Sequence, residues 1–353
     1  GVDGTLTISS GSTLSLAGQT LTIGGHLNNS GSIAGSTSSG IVITSSSSVH
    51  FGTIDTLGSL TITPASSDLI FYLDSNLTVK TLAINNATTE LRLNGYNLTL
   101  TGSAKGTLGS GYATISGYSQ DNGNNSQVFI NGNVNLSLLR FSNFVKSAIT
   151  ISKAGSALTV TACNLDPGAS GESSYGGAIY SAVSGITINI SNSTIQNCIS
   201  GSGGAIATTG SNTVINISGS TFNNNSASTC GGAIATFGSN STVNIEVGTS
   251  YTSTAFTNNS VSASSSSDLA GGAIALTGTN STLNIGTNPK ASSSVVSFSG
   301  NSVSNSGSGA AIGGAIYAVS GKINIETGST AKAYSAVNFS SNYVSSSSGN
   351  AQG

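Results

Sequence analysis

Gly-Gly-Ala-Ile occurs five times in the second half of this chain, starting at Gly176, Gly203, Gly231, Gly271 and Gly313. Each copy is followed seven to nine residues later by an apolar-Asn-Ile triplet: Ile188-Asn189-Ile190, Ile215-Asn216-Ile217, Val243-Asn244-Ile245, Leu283-Asn284-Ile285 and Ile323-Asn324-Ile325. A unit that recurs in this way is a module that stacks on its own copies, because one module cannot bury an apolar face alone. The copies are spaced by 27, 28, 40 and 42 residues. The shorter spacings suit three strands and three turns per coil, and the longer ones require insertions, expected as outward loops at residues 261–270 and 302–312.

The local pattern is that of strands. Short alternating stretches such as Thr5-Leu6-Thr7-Ile8, Ser59-Leu60-Thr61-Ile62-Thr63 and Ala148-Ile149-Thr150-Ile151 carry the period of two that marks a half-buried strand. Composition argues against disorder, which combines low hydrophobicity with high net charge. Here 37% of residues are hydrophobic, 6% are charged and the net charge is -2. The expected fold is all-β, a right-handed parallel β-helix with three short strands per coil. Residues 1–125 form a region of generic strand repeats, continuous with a motif-bearing region at 126–353.

Within such a coil each recurring residue has an assignment. Ile179, Ile206, Ile234, Ile274 and Ile316 should stack inward, as should Ile190, Ile217, Ile245, Ile285 and Ile325, whose branched shapes suit a pleated surface. The glycine pairs before the first set (Gly176 and Gly177, Gly203 and Gly204, Gly231 and Gly232, Gly271 and Gly272, Gly313 and Gly314) should turn a corner with positive φ. The asparagines of the triplets alternate with inward isoleucines, so they should form an outward amide ladder bonded along the stack.

A third ladder aligns Val160, Ile195, Phe222, Phe256, Phe298 and Phe339, each followed three positions on by Cys163, Cys198, Asn225, Asn259, Asn301 and Asn342. If Cys163 and Cys198 lie directly above one another, both a disulfide between adjacent coils and a buried thiol ladder fit, since stacked neighbours do not always meet disulfide geometry. Cys230, immediately before Gly231, reads as a small corner filler.

The pairing of Gly-Gly-Ala-Ile (as in Gly176-Gly177-Ala178-Ile179) with Phe-x-x-Asn (Phe222 to Asn225, Phe256 to Asn259, Phe298 to Asn301, Phe339 to Asn342) resembles the chlamydial polymorphic membrane proteins, over roughly residues 160–342. The resemblance implies the β-helical passenger of an autotransporter, displayed outside the cell, with adhesion attributed to the repeated motifs. These motif residues are therefore the candidate adhesion or assembly sites.

Other chemistries find little in the sequence. Polysaccharide-cleaving β-helices need clustered carboxylates and basic residues. Here Asp3, Asp55, Asp68, Asp74, Glu90, Asp121, Asp166, Glu172, Glu246, Asp268 and Glu326 are mostly well separated, and Arg92 and Arg140 are the only arginines. His26 and His50 show no ligand-type companions, so no metal and no cofactor is expected. Nine scattered basic residues argue against nucleic acid, and no apolar run of about 18 residues offers a membrane span. The chain starts at Gly1 without a leader, which reads as a processed secreted chain. The expected role is a non-catalytic extracellular surface protein that attaches to a protein or glycan on a cell surface. The alternative is a subunit that polymerises with copies of itself into a filament or sheath, and the minor alternative is a polysaccharide-acting enzyme.

Overall fold

The computed structural model describes residues 1–109, 111–118, 125–168, 174–247, 252–286, 295–326 and 336–353. Every regular element among them is a short β-strand, and the strands pair in parallel, coil upon coil, as a β-helix. The chain divides into two compact units, Gly1–Thr150 and Ile151–Gly353.

Coils in the first unit are short. Leu57 pairs with Val79 and Val79 with Leu100, offsets of 22 and 21 residues. The strands Leu77–Ile84 and Leu98–Lys105 pair with a register shift between Val79 and Thr81, so one strand bends and contributes to two faces of its coil. Another face is built from Val49–His50, Ile70–Tyr72, Glu90–Arg92 and Ala113–Ser116. Its inward column, Val49, Phe71, Leu91 and Ile115, is buried and in register. Because side chains alternate across a strand, the same pairing lines up the outward residues His50, Tyr72 and Arg92.

In the second unit the sequence repeat and the coil coincide. Ile179, Ile206, Ile234, Ile274 and Ile316 stand in register, and so do Ile190, Ile217, Ile245, Ile285 and Ile325. The outward asparagines bond as expected: Asn216, Asn244, Asn284 and Asn324 each donate Nδ2 to Oδ1 of the preceding rung, at 2.7–2.8 Å. The two glycines of each corner divide the work. The first has positive φ, 53° to 69° across the five copies. The second does not, and is glycine because the next coil passes too close: a Cβ on Gly232 would lie 2.1 Å from the Gly272 carbonyl oxygen.

Coils here contain a fourth strand, such as Ile199–Ser202 and Ser226–Cys230, beyond the three that the repeat length implies. The insertions at 261–270 and 302–312 also depart from expectation, because they do not project as separate loops. Ser260–Ala263 and Leu269–Ala270 pair with Ser302–Asn305 and Ala311–Ile312, which pair in turn with Tyr343–Ser346 and Ala351–Gln352. Insertions of similar length in successive coils stack on one another, and a second apolar column of Ala227, Val261, Leu269, Val303 and Ala311 fills the space beneath them. Asn305 ties this ridge together: Nδ2 donates to the Ser267 and Ala310 carbonyls, and Oδ1 accepts from the backbone N–H of Ser265 and Gly307.

The aromatic ladder is real but begins elsewhere. Leu165 pairs with Ile195, Ile195 with Phe222, and then Phe256, Phe298 and Phe339 follow. Val160 belongs to a different face, where it pairs with Ile190. The phenylalanine rings stack at 4.8–4.9 Å with interplanar angles of 6–7°, a separation that the strand spacing imposes. Beside them Asn225, Asn259 and Asn301 point inward and are fully buried. Asn259 uses its whole amide. Oδ1 accepts from Asn225 N–H and Asn225 Nδ2, while Nδ2 donates to the Phe222 carbonyl and to Asn301 Oδ1.

Two predictions follow from these rungs. Asn259→Ala removes four buried hydrogen bonds at about 1 kcal/mol each, so urea denaturation should show a loss of about 4 kcal/mol. Asn244→Ala, on the half-buried outward ladder, should cost less than about 1 kcal/mol, and equal losses would refute the distinction. Gly232→Ala should prevent stable stacking, whereas Gly286→Ala, whose Cβ would meet only Glu246 Cγ, at 3.9 Å, among the described residues, should melt like the parent.

Candidate functional site

The repeat residues are components of the interior. In the first four copies the Gly-Gly-Ala-Ile residues are all buried, and in the fifth Gly314 and Ala315 are buried while Gly313 and Ile316 are half-buried. Phe222, Phe256 and Phe298 are fully buried, and only Phe339, on the last described coil, is 47% exposed. A partner can meet most of these side chains only through the faces they position.

Cys163 and Cys198 do not stack, and the disulfide does not form. All three cysteines are buried, and none forms a disulfide. The pairing of Asn164 with Thr194 and Leu165 with Ile195 is offset by 30 residues, so the N–H of Cys163 meets Ser193 Oγ at 3.1 Å. The N–H of Cys198 instead meets Asn225 Oδ1 at 3.1 Å, one coil further on. Cys198 therefore occupies the asparagine rung and Cys163 a serine rung. Burial, with Asp166 adding to it, pushes the Cys198 thiol well above the usual range. Cys230 is also raised by burial, partly offset by hydrogen bonds from Ser202 and Thr229.

Charge and aromatic rings gather on the outward face of the first unit. His50 and Tyr72 stack at 4.2 Å with an interplanar angle of 5°. The Arg92 guanidinium lies between two rings, 5.7 Å from the centroid of Tyr72 and 4.6 Å from that of Tyr118. Tyr118 is fixed locally, its N–H donating to Ser116 Oγ at 3.1 Å. Glu90 holds the Arg92 fork with two bonds, Nε to Oε1 at 2.9 Å and Nη2 to Oε2 at 3.1 Å, which raises the arginine above its ordinary range. Asp74 receives Nδ1 of His50 at 3.0 Å through Oδ1 and the N–H of Gly52 at 2.9 Å through Oδ2. A carboxylate only accepts, so Nδ1 carries the proton and Nε2 is left facing outward.

Arg92 and His50 thus each have a carboxylate of their own. On this column four polar ends make no hydrogen bond to a described residue: His50 Nε2, Tyr72 Oη, Arg92 Nη1 and Tyr118 Oη. The sequence showed His50 without companions because its partners lie one and two coils away. The signal was the coil length of this unit, since His50, Tyr72 and Arg92 follow one another at 22 and 20 residues.

Of the remaining acids, Glu246 and Glu326 lie on one outward column with Gly286 between them. Asp121 and Glu172 fall outside the described residues. Among the described residues no three His, Cys, Asp or Glu side chains converge on a metal-sized site. Comparison with protein-family models, curated proteins and solved structures gives no match.

Thiol chemistry offers a direct check of the register. Three thiols per chain should titrate after unfolding without reductant, and the native protein should react slowly at pH 8. A Cys163–Cys198 cross-linked peptide in a non-reduced digest would overturn the register.

Proposed function

We propose that this chain is a non-catalytic extracellular surface protein, an adhesin-type β-helical passenger that attaches to a protein or glycan on another cell. The observation that carries this reading is the division of labour between inside and outside. The motif residues are committed to the interior, and the faces they position are rows of Ser, Thr and Asn, such as Thr187, Asn189 and Ser191 on one strand. Against that nearly uncharged background, one outward column concentrates histidine, arginine, tyrosine and carboxylates. A weakly charged scaffold bearing one pre-ordered patch suits recognition, where ordering costs are met before the partner arrives. The resemblance of the paired motifs to chlamydial polymorphic membrane proteins supports the same role and the same extracellular setting.

A second reading, the filament subunit, draws on the last described coil. Ile323, Ile325, Phe339 and Tyr343 are 45%, 50%, 47% and 57% exposed there. They form the surface on which a further coil, from this chain or from a second copy, would add.

Beads coated with the folded chain should attach saturably to cultured epithelial cells, and free chain should compete. Attachment no better than that of albumin-coated beads would overturn the adhesin reading. Long regular fibres of the purified chain in electron micrographs would establish the second.

A further inference from the structure

We propose that the column of His50, Tyr72, Arg92 and Tyr118 binds an extended, uncharged polysaccharide laid along the coil axis of the first unit, about one sugar per coil. The recognition-protein reading supplies the biological setting, while the site itself rests on three features of the column.

The first is spacing. The outward residues His50, Tyr72 and Arg92 stand on consecutive coils in parallel register. Parallel strands stack about 4.8 Å apart, close to the advance per residue of an extended β-1,4-linked pyranose chain. A linear glycan running across the strands would therefore meet one outward side chain of the column at each successive sugar. A ligand of different period would drift out of step within a few rungs.

The second is the chemistry of the unbonded ends. Tyr72 Oη and Tyr118 Oη both donate and accept, Arg92 Nη1 donates, and His50 Nε2 accepts when the ring is neutral. Sugar hydroxyls also donate and accept, so the row can satisfy them in either sense. Charge points away from an acidic glycan. Glu90 neutralises Arg92, and Asp74 faces His50, so the column carries no uncompensated cation. A polyanion such as heparin would gain no net attraction and would meet two carboxylates.

The third is pre-ordering. The four side chains are held by ring stacking, by the Glu90 fork and by the Asp74 bond before any ligand arrives. Freezing long side chains is a main cost of binding, and here the scaffold has already met it. No group in the row forms a deep pocket, so each rung contributes modestly and affinity has to accumulate along the column.

That accumulation gives the test. Binding to the folded chain is measured by titration calorimetry with two β-1,4-linked series, cellobiose to cellohexaose and the corresponding N-acetylglucosamine oligomers, and with a heparin hexasaccharide. In at least one neutral series affinity should rise from the disaccharide to the tetrasaccharide and then level off, with the heparin fragment binding at least tenfold more weakly. The double variant Tyr72→Phe, Tyr118→Phe keeps both rings and removes only the hydroxyls. It should melt like the parent and bind the hexamers at least tenfold more weakly. The proposal is overturned by no binding of either neutral series, by no gain beyond the disaccharide, by tighter heparin binding, or by unchanged affinity in the double variant. The cell-attachment assay separates the two readings. Attachment without oligosaccharide binding removes this site and leaves the adhesin role, whereas oligosaccharide binding without attachment does the reverse.

Discussion

Each coil of this protein is completed only by the coil next to it, and the buried asparagine ladder makes that dependence strict. A side-chain amide has two donor hydrogens and two acceptor lone pairs, and leaving any of them dry and unbonded costs free energy. Asn259 satisfies all four, and every partner belongs to another coil. The neighbouring phenylalanines follow the same spacing because their backbones are already fixed at that separation. Stability in such a stack is a sum over neighbours. An interior amide differs from an interior leucine in that it tolerates only one register.

The same economy accounts for the surface. Side chains that stack inward leave their alternates in outward columns, and those columns are set by register rather than by proximity in sequence. On the second unit this produces rows of small polar residues and a hydrogen-bonded asparagine ladder. On the first it produces a column in which an imidazole, a phenol, a guanidinium and a second phenol lie against one another. With only 6% charged residues in the chain, this local concentration is what distinguishes one face from the others.

The insertions show how the principle extends. Extra residues between Val261 and Ala270, and between Ser302 and Ile312, enter successive coils at the same place and are of similar length. Their backbone groups therefore meet matching groups above and below, and parallel pairing is available to them as it is to the core. Ala227, Val261, Leu269, Val303 and Ala311 then close a second apolar column. A single insertion would have had no such partner.

The repeated motifs determined the fold class, the inward isoleucine ladders, the outward asparagines and the place of the insertions, because a recurring motif carries its own register. The sequence by itself could not determine register where the motifs stop. There the three-residue spacing to Cys163 put Val160 on the aromatic ladder, and Cys163 could be set above Cys198. Pairing of Leu165 with Ile195 settled both, since a strand commits all its residues to one offset at once. Tertiary structure alone also assembled the candidate site. His50, Tyr72 and Arg92 are isolated polar residues in the chain, and become neighbours only when coils of 22 and 20 residues place them on consecutive rungs of one face.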